Sequence, residues 1–308
     1  MPVWHLLPGQ GMTTATGTKP QNLLGEEWDY LIVLDACRYD FFADVHDDYL
    51  SGSLEKRRSR GSSTPEWSMR TFPDRHDITY FSANPLINSL GVPFNEIPWG
   101  KALGDDYAWA ADDHITEIVD VWDFAWDDEL GTVHPAAVNE AVRDRPGLLD
   151  KRDRTIVHYL QPHMPYIVGG KGRKIGELRN AVARADGNGA ASDGGLLTSV
   201  GGLASPRVRR VFENSELLTK LGVLLDLDVD GLLSIGDKGG ARAVVEEYYE
   251  ETLRLALEQV ADLAADLDGR VVVTADHGEA FGEDGVWEHH VETHIPVLVD
   301  VPWLVLDD

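Results

Sequence analysis

Two short apolar runs, each closed by a carboxylate, constrain this chain most: Trp28 to Asp35 (WDYLIVLD) and Arg270 to Asp276 (RVVVTAD). Runs of this length, β-branched and without polar alternation, fit strands covered on both faces. The second run follows the strongest helical pattern in the chain, Ala243 to Leu267. There Val244, Tyr248, Leu253, Leu257, Val260, Ala264 and Leu267 recur at three- or four-residue spacing apart from one five-residue step after Tyr248, and Gly269 ends the pattern. Further strands are expected at Asp77–Ser82, Glu117–Trp122, Thr155–Leu160, Ile295–Asp300 and Trp303–Asp308. Helices are expected over Ala36–Leu50 and His134–Leu149. Strands alternating with helices predict an α/β fold with a mostly parallel sheet.

The 308 residues suffice for one large α/β domain, and we read 1–308 as a single domain. From Gly169 to about 242 the texture loosens into Gly, Ser and Asp, as in GNGAASDGG. That stretch reads as a cap-like insertion with a helix near Arg207–Leu225, where substrate selection would sit. The single cysteine, Cys37, excludes an internal disulfide and a cysteine metal cluster. No apolar run is long enough for a membrane span, and the first residues carry no secretory pattern, so a cytoplasmic location is expected. The net charge is −26, with 8 Lys against 19 Arg. Such a surface suits a protein kept hydrated at high salt, a halophilic trait, and argues against a nucleic-acid partner.

In a parallel sheet, ligands sit beyond the carboxyl ends of the strands. Asp35, His163 and Asp276 each stand at or just past such an end. Asp276-His277-Gly278-Glu279 sets a carboxylate beside an imidazole, donors that suit a divalent ion. The plain alternative is a capping Asp beside a surface His. Asp35 has the same alternative, as N-cap of the next helix. His163 lies in a Pro-His-Met-Pro turn whose prolines restrict the backbone. His289, His290 and His294 crowd a short segment of a chain holding 11 histidines. In Gly61-Ser62-Ser63-Thr64-Pro65-Glu66-Trp67, Thr64 reads as an N-cap with Pro65 at the first helical position. A hydroxyl at a helix start can also be a nucleophile.

The order of these blocks (LIVLDACRYD, GSSTPEW, YLQPHMPY, VVVTADHGEAFGE, HHVETHIPVLV) resembles the alkaline phosphatase superfamily, and its sulfatase-like branch in particular. The resemblance covers roughly residues 27–168 and 243–302. It implies a three-layer sandwich and a metal-dependent hydrolase or transferase of phosphate or sulfate esters working through a covalent Ser/Thr intermediate. The substrate would be a small-molecule, glycan-linked or lipid-linked ester. Asp35, Asp276 and His277 would be metal ligands, and Thr64 or Ser63 the nucleophile, with Thr64 preferred. His163 would meet the transferred group or its leaving oxygen, with His289 as a further contact. From the residues alone, Arg38 could help hold the anion or serve as a salt-bridge partner at the start of a helix. His290 is spaced like the second-metal histidine of cofactor-independent phosphoglycerate mutases. Two-metal members carry an Asp four residues before the mid-chain His, where this chain has Tyr159, so one metal is expected. Zn or Mn suits the Asp-His pair, with Ca or Mg as alternatives. The superfamily leaves two other readings: a catalytically silent binding protein and a phosphomutase-type isomerase.

Overall fold

A computed structural model describes residues 18–97, 103–149, 154–173 and 239–307. The helix expected at Arg207–Leu225, and most of the 169–242 insertion, lie outside them. Eight strands form the main sheet: β1 Lys19–Pro20, β2 Tyr30–Asp35, β3 Gly52–Arg58, β4 His76–Ser82, β5 Ile115–Asp120, β6 Thr155–Pro162, β7 Val271–Ala275 and β8 Asp300–Leu306. Their order is β1-β3-β8-β7-β2-β6-β4-β5. Only β8 runs antiparallel to its neighbours. The carboxyl ends of the other seven therefore open on one rim.

Both faces of the sheet are covered, as the unbroken apolar runs require. On one face Ile32, Leu34, Val157, Tyr159, Val271 and Val273 share a core with three helices: α1 (Tyr39–Val45), α3 (Pro135–Arg143) and α4 (Gly239–Ala264). On the other, Leu31, Val33, Ile156, Val272 and Trp303 pack against Trp67 of α2 (Thr64–Thr71). The result is the expected three-layer α/β sandwich. The alternation of Leu31/Val33 against Ile32/Leu34 is the period-2 pleat of a strand buried on both sides.

Three local expectations are corrected. The helix at 243–267 buries Val245, Tyr249, Leu253, Ala256, Leu257, Val260 and Leu263. Its first turns are thus one residue out of phase with the pattern read through Tyr248. Residues 296–299 form a single helical turn rather than a strand, because Pro296 has no N–H for a ladder. The final strand instead runs unbroken through Asp300–Leu306. Residues 121–124 are likewise a helical turn following β5. Among the described residues no helix is long and apolar enough to cross a membrane.

Candidate metal centre

Asp35 ends β2. The strand pairs in register with β6 through Leu34 and Tyr159, then shifts so that Asp35 lies opposite Pro162. A shift of this kind re-aims a side chain at a sheet rim. Ala36 follows in a left-handed conformation (φ 58°). Its N–H donates to Asp276 Oδ1 at 3.1 Å, and its carbonyl accepts from the Tyr249 hydroxyl at 2.7 Å. The same hydroxyl accepts from the Arg38 N–H at 2.8 Å. The turn after Asp35 is thus held by α4 on one side and by Asp276 on the other. Asp35 does not cap α1, whose N-cap is Arg38.

Asp276 and His277 follow β7. Gly278 comes next, and its reason is close approach: a Cβ there would lie 2.0 Å from the Val297 carbonyl. The Gly278 N–H donates to the Leu298 carbonyl at 2.8 Å, docking the 296–299 turn beneath the site. His277 Nδ1 lies 2.8 Å from the Gly278 carbonyl. A proton on Nδ1 satisfies that contact and leaves the Nε2 lone pair aimed inward, the arrangement of a metal-binding imidazole. His277 Nε2 is 3.4 Å from Asp276 Oδ2 and 3.6 Å from Asp35 Oδ1.

Thr64 completes the group. Its hydroxyl donates to Asp276 Oδ2 at 2.8 Å and lies 3.3 Å from His277 Nε2. Contrary to the capping expectation, Thr64 is the first residue of α2 and Ser63 is the N-cap, without a side-chain capping bond. Ser63 Oγ is buried with no partner. Of the two candidate hydroxyls, only Thr64 is tied to the carboxylates.

Asp35, Asp276 and His277 are all buried, each offering a ligand atom within 4.8 Å of the others. Among the described residues no Lys or Arg pairs with either carboxylate, and Asp35 Oδ1 has no hydrogen-bond partner. Burial, with Asp276 close by, holds the Asp35 carboxyl well above the usual range. Two desolvated carboxylates facing one imidazole lone pair and one hydroxyl form a donor set that a divalent cation fits.

Two further side chains at the rim lie outside the sequence expectations. Asn84, just past β4, donates to Asp35 Oδ2 at 2.5 Å and lies 3.4 Å from the Thr64 hydroxyl. His158, midway along β6, has its Nε2 3.7 Å from Asp35 Oδ2 and its Nδ1 2.7 Å from the Tyr80 hydroxyl. Burial pushes His158 down to about 4. Its neighbour Tyr159 points through the opposite face, where its hydroxyl donates to Asn139 on α3. A lone histidine inside TIVHYL was the available signal for His158. Asn84 had none.

The remaining candidates divide. His163 is buried, with Nδ1 2.5 Å from the Met164 carbonyl; its own N–H lies 3.2 Å from the Asp35 carbonyl. Burial and the neighbouring His289 lower it to about 4. His289 faces inward, its ring centroid 4.5 Å from that of His277 and 4.9 Å from that of His163. Burial alone would lower the His289 pKa, but Glu279, at 3.1 Å from Nδ1, raises it to about 9. His290 does not join the group: its side chain is exposed, and only its carbonyl is engaged, by Ser62. The inward histidine is one residue earlier than the second-metal spacing implied. Of its two readings, Arg38 takes the salt-bridge one in this structure. Its guanidinium is buried against Asp40 at 2.6 Å and Glu283 at 2.9 Å, between the rings of Phe41 and Phe281. Cys37 is buried in the α1 core.

No family model matches this sequence, and no curated protein does. Solved structures do. The soluble domain of lipooligosaccharide phosphoethanolamine transferase A from Neisseria meningitidis matches at 13% identity and TM-score 0.48, over 94% of this chain and 79% of that one. A 2-O GAG sulfatase matches at 11% and 0.45, over 92% and 65%. The phosphonate monoester hydrolase of Agrobacterium radiobacter matches at 14% and 0.37, over 90% and 67%. At such identities and scores the likenesses carry no argument for the site, which stands on its own geometry.

Proposed function

We propose that this chain is a metal-dependent hydrolase or transferase of phosphate or sulfate esters, with Thr64 as nucleophile. The observation that carries the reading is the Thr64 hydroxyl, 2.8 Å from Asp276 Oδ2 and 3.3 Å from His277 Nε2, beside a buried carboxylate oxygen without a hydrogen bond. Asp35, Asp276, His277 and the Thr64 oxygen would hold the ion. Bound there, a divalent cation lowers the pKa of the hydroxyl and polarises a non-bridging ester oxygen.

The protein's own groups supply the rest. Thr64 would shed its proton to solvent as its pKa falls, and the oxygen so freed would attack phosphorus or sulfur from its place beside Asp276 Oδ2. The Asn84 amide donates toward the Thr64 oxygen and to Asp35 Oδ2, fixing their separation. As the Thr64 O–P or O–S bond forms, the bond to the leaving oxygen breaks, and that oxygen needs a proton. His163, lowered to about 4, is neutral near pH 7. His289, raised to about 9, is protonated there and paired on Nδ1 with Glu279. With its Nδ1 held by Glu279 and its ring beside His277, His289 is the group we assign as proton donor through Nε2; His163, whose Nδ1–H is given to the Met164 carbonyl, would meet the leaving oxygen through Nε2. Water or an acceptor alcohol then releases the group from Thr64.

The test is a panel of chromogenic phosphate mono- and diesters, phosphonates and sulfates, with Zn, Mn, Mg and Ca, before and after chelation. Metal-dependent turnover that is lost in Asp276→Asn supports the reading. Stoichiometric metal without turnover on any ester overturns it in favour of a silent binding protein.

A further inference from the structure

The sequence Ser63-Thr64-Pro65-Glu66 has the spacing of a capping box, in which the acid reaches back to the N-cap N–H. The fold uses Glu66 differently. Its Oε2 accepts from the Ser62 N–H at 2.8 Å and from the Glu292 N–H at 3.2 Å. Its Oε1 meets His294 Nε2 at 2.7 Å and Arg70 at 2.6 Å. Ser62, fully buried, has its hydroxyl 2.8 Å from both Glu66 Oε2 and the His290 carbonyl, and accepts from the Thr293 N–H at 3.0 Å. A carboxylate that needed only to cap α2 could do so at the surface. This one is buried, and half its partners come from a segment more than 220 residues away.

That segment begins with His289. Before it, the hairpin of Ala280–Phe281 and Trp287–Glu288 ends at Glu288, which is left-handed (φ 62°). After it, the chain is fastened to Ser62 and Glu66 through residues 290, 292, 293 and 294. His289 is therefore held between the hairpin and the start of the helix that carries Thr64.

We infer that Glu66, acting with Ser62, is a positioning residue: it latches segment 289–294 onto the first turn of α2 and so sets His289 relative to the Thr64 nucleophile. The inference rests on the function proposed above for its catalytic consequence, but the latch itself does not. Releasing it would let His289 drift from the leaving oxygen while Asp35, Asp276 and His277, none of which touches Glu66, keep their places. The defect should thus depend on how much the leaving group needs a proton.

The experiment uses the full chain with its metal and the variants Glu66→Ala, Glu66→Gln and Ser62→Ala. Each is assayed on the best p-nitrophenyl ester and on its ethyl counterpart, with metal affinity measured alongside. Amide exchange over 289–294 is followed in the same samples. Glu66→Ala and Ser62→Ala should lose about 30-fold or more in kcat/KM on the ethyl ester and no more than about 5-fold on the p-nitrophenyl ester, which leaves without a proton. Metal affinity should hold, and exchange over 289–294 should quicken about tenfold or more. Glu66→Gln keeps an oxygen for the two backbone donors and should recover part of both effects. Equal losses on the two esters, or unchanged exchange, would overturn the inference. Should the wild type turn over neither ester, the proposed function fails, and the exchange measurement still decides the latch.

Discussion

Replacing Asp35 by Asn should act in opposite directions with and without metal. Asp35 and Asp276 offer ligand atoms within 4.8 Å of each other in a buried site. At an effective dielectric near 20, two unit charges at that separation repel by roughly 3.5 kcal/mol. Proton uptake by Asp35, whose carboxyl is already pushed up by burial and by Asp276, relieves part of this. Asn at 35 removes the charge yet keeps an oxygen to accept from Asn84 Nδ2. In chelator at pH 8 the variant should therefore be more stable than the wild type by about 1–3 kcal/mol, or roughly 2–5 °C in Tm. With metal at a hundred times its Kd the wild type gains about 2.7 kcal/mol, and Asp35→Asn should gain almost none. Thermal unfolding in EDTA and in excess Zn or Mn reads both arms. A variant less stable than the wild type in chelator, or one stabilised equally by metal, would refute the reasoning.

Thr64→Ala should abolish turnover, a loss of about 10³-fold or more, whereas Ser63→Ala should change kcat by less than about tenfold; steady-state kinetics on the same ester compares them. Glu288 is raised to about 7, chiefly by burial and then by Glu279. A carboxyl raised in the folded state holds its proton longer than in the unfolded chain, so its folding contribution falls as pH climbs from about 4.5 to 7. Glu288→Gln should remove that slope and stabilise the protein above pH 7 by on the order of 3 kcal/mol, read by denaturant unfolding at pH 5 and 8. Finally, the charge of −26 should make Tm rise with KCl from low to multimolar concentration; a salt-indifferent Tm would remove the halophilic reading.

The parts of the site legible in the sequence were those where chain order alone fixes position. Asp35 and Asp276 close fully apolar runs, and a parallel sheet sends both run ends to one rim. The hydroxyl block after β3 reaches the same rim for the same reason. What depended on phase was not legible. Whether His158 or Tyr159 faces the site is decided by the pleat of β6, and only the sheet pairings define which face that is. His289 and not His290 turns inward because the left-handed Glu288 re-aims the chain just before them, and a Glu gives no sign of such a conformation. Likewise, Tyr249 rather than Tyr248 reaches the Ala36 turn because the buried face steps regularly through Val245, Tyr249 and Leu253, whereas the pattern read through Tyr248 jumps five residues to Leu253. Arg38 looked available to an anion because its partner Glu283 lies 245 residues away. Asn84 sits in a loop with no periodicity, and its role emerges only when β4 is placed beside β6.

The central claim is that one divalent cation binds where Asp35, Asp276, His277 and Thr64 meet. Anomalous diffraction from crystals grown with Mn or Zn tests it directly. The account predicts a peak about 2.0–2.3 Å from Asp35 Oδ1, Asp276 Oδ2 and His277 Nε2, with the Thr64 oxygen at its edge. A crystal saturated with metal that shows no peak among these atoms, or shows one only elsewhere, would contradict it.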